Sequence, residues 1–147
     1  MLDRAKRVLI AEDVPEDVKP LVRAFKKKPA WEIAVVKDGE EALDFVLRRG
    51  AYADAWRPDL FILNINMPKI DGLDVLKQVK AVPYLATIPI VMWTVSQQIM
   101  DIERAYKRGA AAFISKPVDD GEMKQCAIAI RTFWDRVQFP DTIPDME

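Results

Sequence analysis

The feature that most constrains the fold is an alternation repeated five times along the chain. Short apolar runs at Arg7 to Ala11, Trp31 to Val36, Leu60 to Asn64, Ile88 to Trp93 and Ala111 to Ile114 are each followed by a segment with helical spacing. The helical segments carry Val18, Leu21, Val22 and Phe25; then Ala42, Leu43, Val46 and Leu47; then Leu73, Leu76 and Val79; then Ile99, Ile102, Ala105 and Tyr106. The last runs from Met123 through Cys126, Ala127, Ile130, Phe133 and Trp134 to Val137. Runs that are apolar throughout, rather than alternating with polar residues, suit strands buried on both faces. Strands alternating with helices imply a parallel sheet, and right-handed crossovers place helices on both of its sides. The reading is therefore one α/β domain, a doubly wound (βα)5 unit with a five-stranded parallel sheet. Punctuation agrees: Pro29, Gly50, Pro83 and Gly109 are expected to end the first four helices. Pro89 is placed near the entry of the fourth strand, and Tyr52 and Trp56 are expected to cover the edge of the core.

A length of 147 residues with half of them apolar suits a single core, with a domain over 1–139 and an extended tail over 140–147. No run approaches the roughly 18 apolar residues that span a bilayer, and the first strand follows the basic start without a signal-peptide core. The chain is thus expected in the cytoplasm. With 22 basic and 23 acidic residues, no global charge draws it to nucleic acid or to an anionic membrane. The single cysteine, Cys126, falls on an apolar helical face and reads as a packed thiol. The chain has no histidine, which excludes Ser-His and Cys-His catalysis, histidine bases and phosphohistidine.

A parallel sheet points every strand's C-terminus the same way, so Glu12, Asp13, Asn64, Thr94 and Lys116 are expected at one end of the domain. Adjacent carboxylates at Glu12 and Asp13 form a hard oxygen site suited to Mg²⁺. A hydroxyl at Thr94 and an ammonium at Lys116 suit the oxygens of a phosphoryl group. Taken singly, each has an ordinary reading as a helix N-terminus, a strand-end cap or a loop. Together they describe a phosphate-handling pocket.

The residues Glu12-Asp13, Pro58-Asp59-Leu60 through Met67-Pro68-Lys69-Ile70-Asp71-Gly72, Thr94 and Lys116-Pro117 resemble the receiver domain of two-component response regulators over nearly the whole chain. That resemblance implies a flavodoxin-like fold with strand order 2-1-3-4-5. It also implies Mg²⁺ held by Glu12, Asp13 and the backbone carbonyl of Asn66, phosphoryl oxygens on Thr94 and Lys116, and Phe113 as an aromatic that swings inward with Thr94. Within the family, Gly39 to Phe45, Arg48 to Tyr52, Ile88-Pro89 and Phe133-Trp134 are similar to the small regulators paired with bacterial phytochrome kinases. This implies a sensor histidine kinase partner, with a phytochrome as the specific candidate. It also implies a homodimer through helix 4, strand 5 and helix 5, with Trp134 and Phe139 as candidate interface residues. The alternative for both aromatics is a place in the core of their own subunit.

One departure decides the mechanism. The family's phosphoacceptor is an aspartate, and the matching position is Asn64. An amide nitrogen has its lone pair delocalised and carries no charge, so it does not attack phosphorus as a carboxylate does. Phosphotransfer is expected to fail, and the loss of one negative charge is expected to weaken the metal site, in which the Asn64 carbonyl oxygen remains a donor. Deamidation to aspartate is hindered by the bulk of Ile65. Since no length remains after Val137 for a DNA-binding domain, output is expected to be protein binding rather than catalysis. Two other readings stand beside this one. The first is a phosphorylatable regulator with an engineered Asp-to-Asn change at position 64. The second is a flavodoxin-like cofactor binder or phosphatase, against which Asn64 and the acidic loop Glu12-Asp13-Val14-Pro15 both argue.

Overall fold

The computed structural model describes residues 4–140. Five strands and five α-helices alternate in order: β1 (Arg7–Ala11), α1 (Pro15–Lys26), β2 (Glu32–Val36), α2 (Gly39–Leu47), β3 (Leu60–Leu63), α3 (Gly72–Lys80), β4 (Ile90–Thr94), α4 (Ile99–Lys107), β5 (Ala112–Ser115) and α5 (Asp120–Asp135). All strand pairings are parallel, and the sheet order is β2-β1-β3-β4-β5. The expected fold and strand order are both present. Beyond Pro140, the expected tail lies outside the described residues.

The two-residue period of the strands sorts the core into two layers. Leu9, Phe61, Leu63, Ile90 and Met92 point to one face, which α2, α3 and α4 cover through residues such as Leu43, Val46, Leu76 and Ala105. Val8, Ile10, Leu60, Ile62, Val91 and Trp93 point to the other, covered by α1 and α5 through Leu21, Phe25, Ala127 and Ile130. Every residue of β3 is fully buried. Each such side chain contributes about 1.5–3 kcal/mol of apolar burial as an upper estimate, so the central strand anchors the residue at its end firmly.

Element boundaries differ from the sequence reading for local reasons. The second strand starts at Glu32, because the Trp31 backbone N–H donates to Phe25 O at the end of α1 and its indole donates to Asp135 Oδ1. The fourth starts at Ile90, although Pro89 still accepts a hydrogen bond from Phe61 N–H across the sheet. α2 ends before Gly50: Arg48 takes the left-handed cap conformation at φ 56, and Gly50 opens a short 3₁₀ turn to Tyr52. Tyr52 and Trp56 pack on Phe45, covering the core edge as expected.

A buried arginine ties α5 to the end of α1. Arg131 donates to the carbonyls of Ala24, Lys27 and Pro29 and pairs with Asp135. It thereby satisfies carbonyl groups that the helix end leaves without intrahelical partners. Trp134 and Phe139, the two aromatics offered for an interface, are each 9% exposed and stack on one another at 6.1 Å within the α1–α5 layer. Their neighbour Phe133 is the exposed ring of the group, at 62%.

Candidate functional site

The C-terminal ends of β1, β3, β4 and β5 converge as parallel topology requires, and the site is built from what leaves them. β1 delivers Glu12, which is buried, and Asp13, which is exposed. β3 delivers Asn64, also buried, whose backbone N–H donates to Ala11 O at 3.0 Å. The loop after it is held tightly against the strand end. Gly72 N–H donates to Ile65 O at 2.7 Å, and a Cβ on Gly72 would overlap the carbonyl oxygen of Asn64. Asp71 caps α3 by accepting from Asp74 N–H. Lys69 sits at φ 72 in a turn closed by Ile70 N–H donating to Pro68 O, a conformation that costs a non-glycine residue of order 1 kcal/mol.

At the centre lies the Asn64 side chain. Its Nδ2 donates to Glu12 Oε2 at 3.1 Å and to the Asn66 carbonyl oxygen at 3.1 Å, with Asp13 Oδ1 a third acceptor at 3.4 Å. The orientation of the amide follows from this ring of acceptors. Its Oδ1 is buried with no hydrogen-bond partner among the described residues. The three groups around Nδ2 are the same three that the resemblance assigns to Mg²⁺, so the amide occupies the focus of the metal-ligand set.

Lys116, from the end of β5, turns toward the same acid. Its Nζ lies 2.6 Å from Glu12 Oε1 and 2.8 Å from Asp17 Oδ2, with the side chain 3% exposed. Burial pushes the Glu12 carboxyl above its usual range, and the Lys116 ammonium pulls it back down. The net shift is upward, so the buried carboxylate is only partly compensated. Its other oxygen is held by Asn64 and by the backbone N–H of Val14. Glu12 therefore has both oxygens engaged from within the chain, Oε1 by the Lys116 ion pair and Oε2 by hydrogen bonds, while the cost of its burial is only partly offset.

Thr94 is fully buried at the end of β4, and its hydroxyl accepts from Ser96 N–H at 3.3 Å. Phe113 is half-buried against the α2–α4 layer, and its backbone N–H donates to the Tyr106 hydroxyl at 3.1 Å. Two participants escaped the sequence reading. Asp17 is the second carboxylate on Lys116, and Ser96 accepts from Ser115 Oγ through its carbonyl while donating its own hydroxyl to Asp101. The signal for Asp17 was its place in the first turn of a helix that starts at the site end of the sheet.

The oxygens present are chemically suited to a hard divalent cation. Their arrangement does not fit one as it stands. The three contacts from Nδ2, to Glu12, Asp13 and the Asn66 carbonyl, would have to break and the amide turn over before a cation met oxygen on all sides. No group of three or more Asp, Glu, Cys or His side chains among the described residues is placed to hold a metal ion.

Comparison with known proteins fixes the lineage. The family model for the response regulator receiver domain matches residues 8–128. The chain belongs to the response regulator receiver domain family. Receiver domains are signalling modules that interact with sensor histidine kinases, and they bind Mg²⁺. Response regulator Rcp1 of Synechocystis sp. is 29% identical over 130 residues, 88% of each chain. Polar-differentiation response regulator DivK of Brucella anthropi is 34% identical over 113 residues, 77% of this chain and 85% of DivK. Among solved structures, the Mn²⁺-bound form of Rcp1 superposes with a TM-score of 0.89 at 29% identity, covering 92% of this chain and 99% of that one. The phosphorylated cyanobacterial phytochrome response regulator RcpA superposes with a TM-score of 0.90 at 32% identity, covering 93% and 99%. The relatives on this side of the family thus include a phytochrome response regulator, RcpA. Among the described residues no helix is long and apolar enough to cross a membrane.

Proposed function

We propose that this receiver takes part in two-component signalling without accepting a phosphoryl group at position 64, and that it acts by binding its partners. The observation that carries the reading is the Asn64 amide, which stands at the acceptor position and donates to Glu12 and to the Asn66 carbonyl. An uncharged amide supplies no nucleophilic oxygen lone pair comparable to a carboxylate's, so the acyl phosphate of the family does not form. Mg²⁺ at Glu12, Asp13, Asn64 and Asn66 is weak or absent, because the Asn64 amide nitrogen holds the ligand oxygens until it turns over, while Thr94, Lys116 and Phe113 keep the places of the phosphoryl contacts and the switch. With Lys116 engaged by Glu12 and Asp17, those parts rest in one arrangement. The partner is a sensor histidine kinase, with a phytochrome kinase the favoured one from the relatives' type, and its occupation by a receiver that does not discharge it is the expected effect in a cell. The domain is read as a cytoplasmic module that pairs through α4, β5 and α5, where Tyr106 and Phe133 stand exposed. Incubation with the kinase or a small phosphodonor and Mg²⁺ tests the reading. Kinase binding without transfer is the expected result, and a base-labile phosphoryl adduct on the wild-type chain overturns it.

A further inference from the structure

Two loops meet over the site: 12–14, between β1 and α1, and 64–71, between β3 and α3. Asn64 Nδ2 touches both, reaching Glu12 Oε2 and Asp13 Oδ1 in the first and the Asn66 carbonyl in the second. A divalent ion would gather such oxygens and neutralise them in one step. An amide nitrogen gathers them through two N–H bonds but brings no charge. Here the charge is met separately. Lys116 Nζ lies 2.6 Å from the other Glu12 oxygen, and Asp13 is exposed, where water screens it. The two tasks of an ion are thus divided between Asn64 and Lys116.

The rest of the second loop is already seated by other contacts. Gly39 N–H, at the start of α2, donates to Pro68 O at 3.3 Å, and a Cβ on Gly39 would overlap the Ile70 carbonyl oxygen. Lys69 Nζ lies 3.7 Å from Asp38 Oδ2, and Gly72 N–H closes the loop onto Ile65 O. What remains is to draw Asn66 toward the β1–α1 loop, and Nδ2 does this. The amide is committed to that orientation. Turning it over would set Oδ1 against three oxygens, and Oδ1 stays buried without a hydrogen-bond partner among the described residues while Nδ2 keeps its acceptors.

We infer that the Asn64 amide takes over the structural task of the divalent ion, drawing loops 12–14 and 64–71 together through Glu12, Asp13 and Asn66. The surface that a partner meets at this end of the domain is then assembled without metal, and its assembly does not respond to Mg²⁺. This role rests on the reading of Asn64 as a non-acceptor and adds to it a positive function for the amide.

Amide hydrogen exchange by NMR on the full chain tests this, in EDTA and in Mg²⁺. The reporters are Val14 N–H, bonded to Glu12 Oε2, and the N–H groups of Gly39 and Gly72, bonded to Pro68 and Ile65. Wild-type exchange should be slow and change by less than about twofold on adding Mg²⁺. Asn64→Asp should exchange about tenfold faster in EDTA and return to the wild-type rate in Mg²⁺. Asn64→Ala removes the donors without adding a charge, and it too should exchange about tenfold faster in EDTA, which separates loss of the gathering group from carboxylate repulsion. Asn64→Ala loops as protected as the wild type in EDTA overturn the assignment. So does wild-type protection that is low in EDTA and rises about tenfold with Mg²⁺, a measurement that needs no variant to fold. Broadening of the wild-type Asp13 and Asn66 amides by substoichiometric Mn²⁺ also overturns it. None of these readouts involves phosphoryl transfer, so an adduct on the wild type would refute the non-acceptor reading separately.

Discussion

Replacing Asn64 with aspartate should destabilise this receiver in the absence of divalent ions, and divalent ions should then stabilise it far more than the wild type. The substitution removes donations to Glu12 Oε2 and the Asn66 carbonyl, both at 3.1 Å, worth about 1 kcal/mol each. It also sets one carboxylate oxygen against another at that distance. At an effective dielectric constant of about 20, such a pair repels by about 5 kcal/mol, and the new side chain can escape by taking up a proton. From an ordinary aspartate value, protonation at pH 7 costs about 4 kcal/mol, which caps the electrostatic penalty. Lys116 beside Glu12 offsets part of it, so the expected net loss in apo protein is about 3–5 kcal/mol. Urea unfolding followed by tryptophan fluorescence reads this directly, with and without Mg²⁺. At a hundred times its dissociation constant, Mg²⁺ should restore about 2.7 kcal/mol to the variant. The wild type should gain under about 0.5 kcal/mol at the same concentration, since its amide competes for the ligand oxygens. An Asn64→Asp variant as stable as the wild type without metal, with equal Mg²⁺ effects on both, would refute the reasoning.

Three further outcomes follow from the same structure. Gly72→Ala should cost about 1–3 kcal/mol in urea unfolding and perturb the amide resonances of Asn64 and Ile65, because the added Cβ overlaps the Asn64 carbonyl oxygen. Arg131→Met should cost about 2–5 kcal/mol by the same assay, since it strips a charged donor from the Ala24, Lys27 and Pro29 carbonyls. The Tyr52 hydroxyl donates to Glu41 at 2.7 Å and its pKa is pushed up to about 12, chiefly by that bond. Its stabilising contribution is present below the ordinary value near 10 and is lost as pH rises through about 12. Ultraviolet titration should therefore show a late tyrosinate from Tyr52, which Glu41→Gln returns toward 10.

Much of the molecule could be read from local pattern because its strands are short, wholly apolar and separated by clear breakers. Leu60 to Leu63 has no polar face to misassign, and parallel topology then obliges Glu12, Asn64, Thr94 and Lys116 to meet at one end. Boundaries were harder where tertiary contacts decide them. Trp31 leaves the strand pattern because its indole reaches Asp135 over a hundred positions away, and Arg48 rather than Gly50 caps α2 because two backbone carbonyls, Asp44 and Phe45, close there. Within the site, spacing located the groups without saying which way they turn. Lys116 finds Glu12 and Asp17 because the end of β1 and the first turn of α1 lie at the same end of the parallel sheet as the exit of β5, and the Asn64 amide presents nitrogen rather than oxygen because three acceptors surround it. For Trp134 and Phe139 the pattern left core and interface equally open, and the structure places both rings against their own subunit's Trp31 and α5.

The claim on which the account turns is that position 64 accepts no phosphoryl group. Intact-protein mass spectrometry of the wild-type chain after incubation with a small-molecule phosphodonor and Mg²⁺ addresses it most directly, with Asn64→Asp run alongside to show that the rest of the pocket is competent. The account predicts an unmodified wild type and a variant that gains the mass of one phosphoryl group, lost on treatment with base. A base-labile phosphoryl adduct on wild-type protein, mapped to the segment from Leu60 to Gly72, would contradict it.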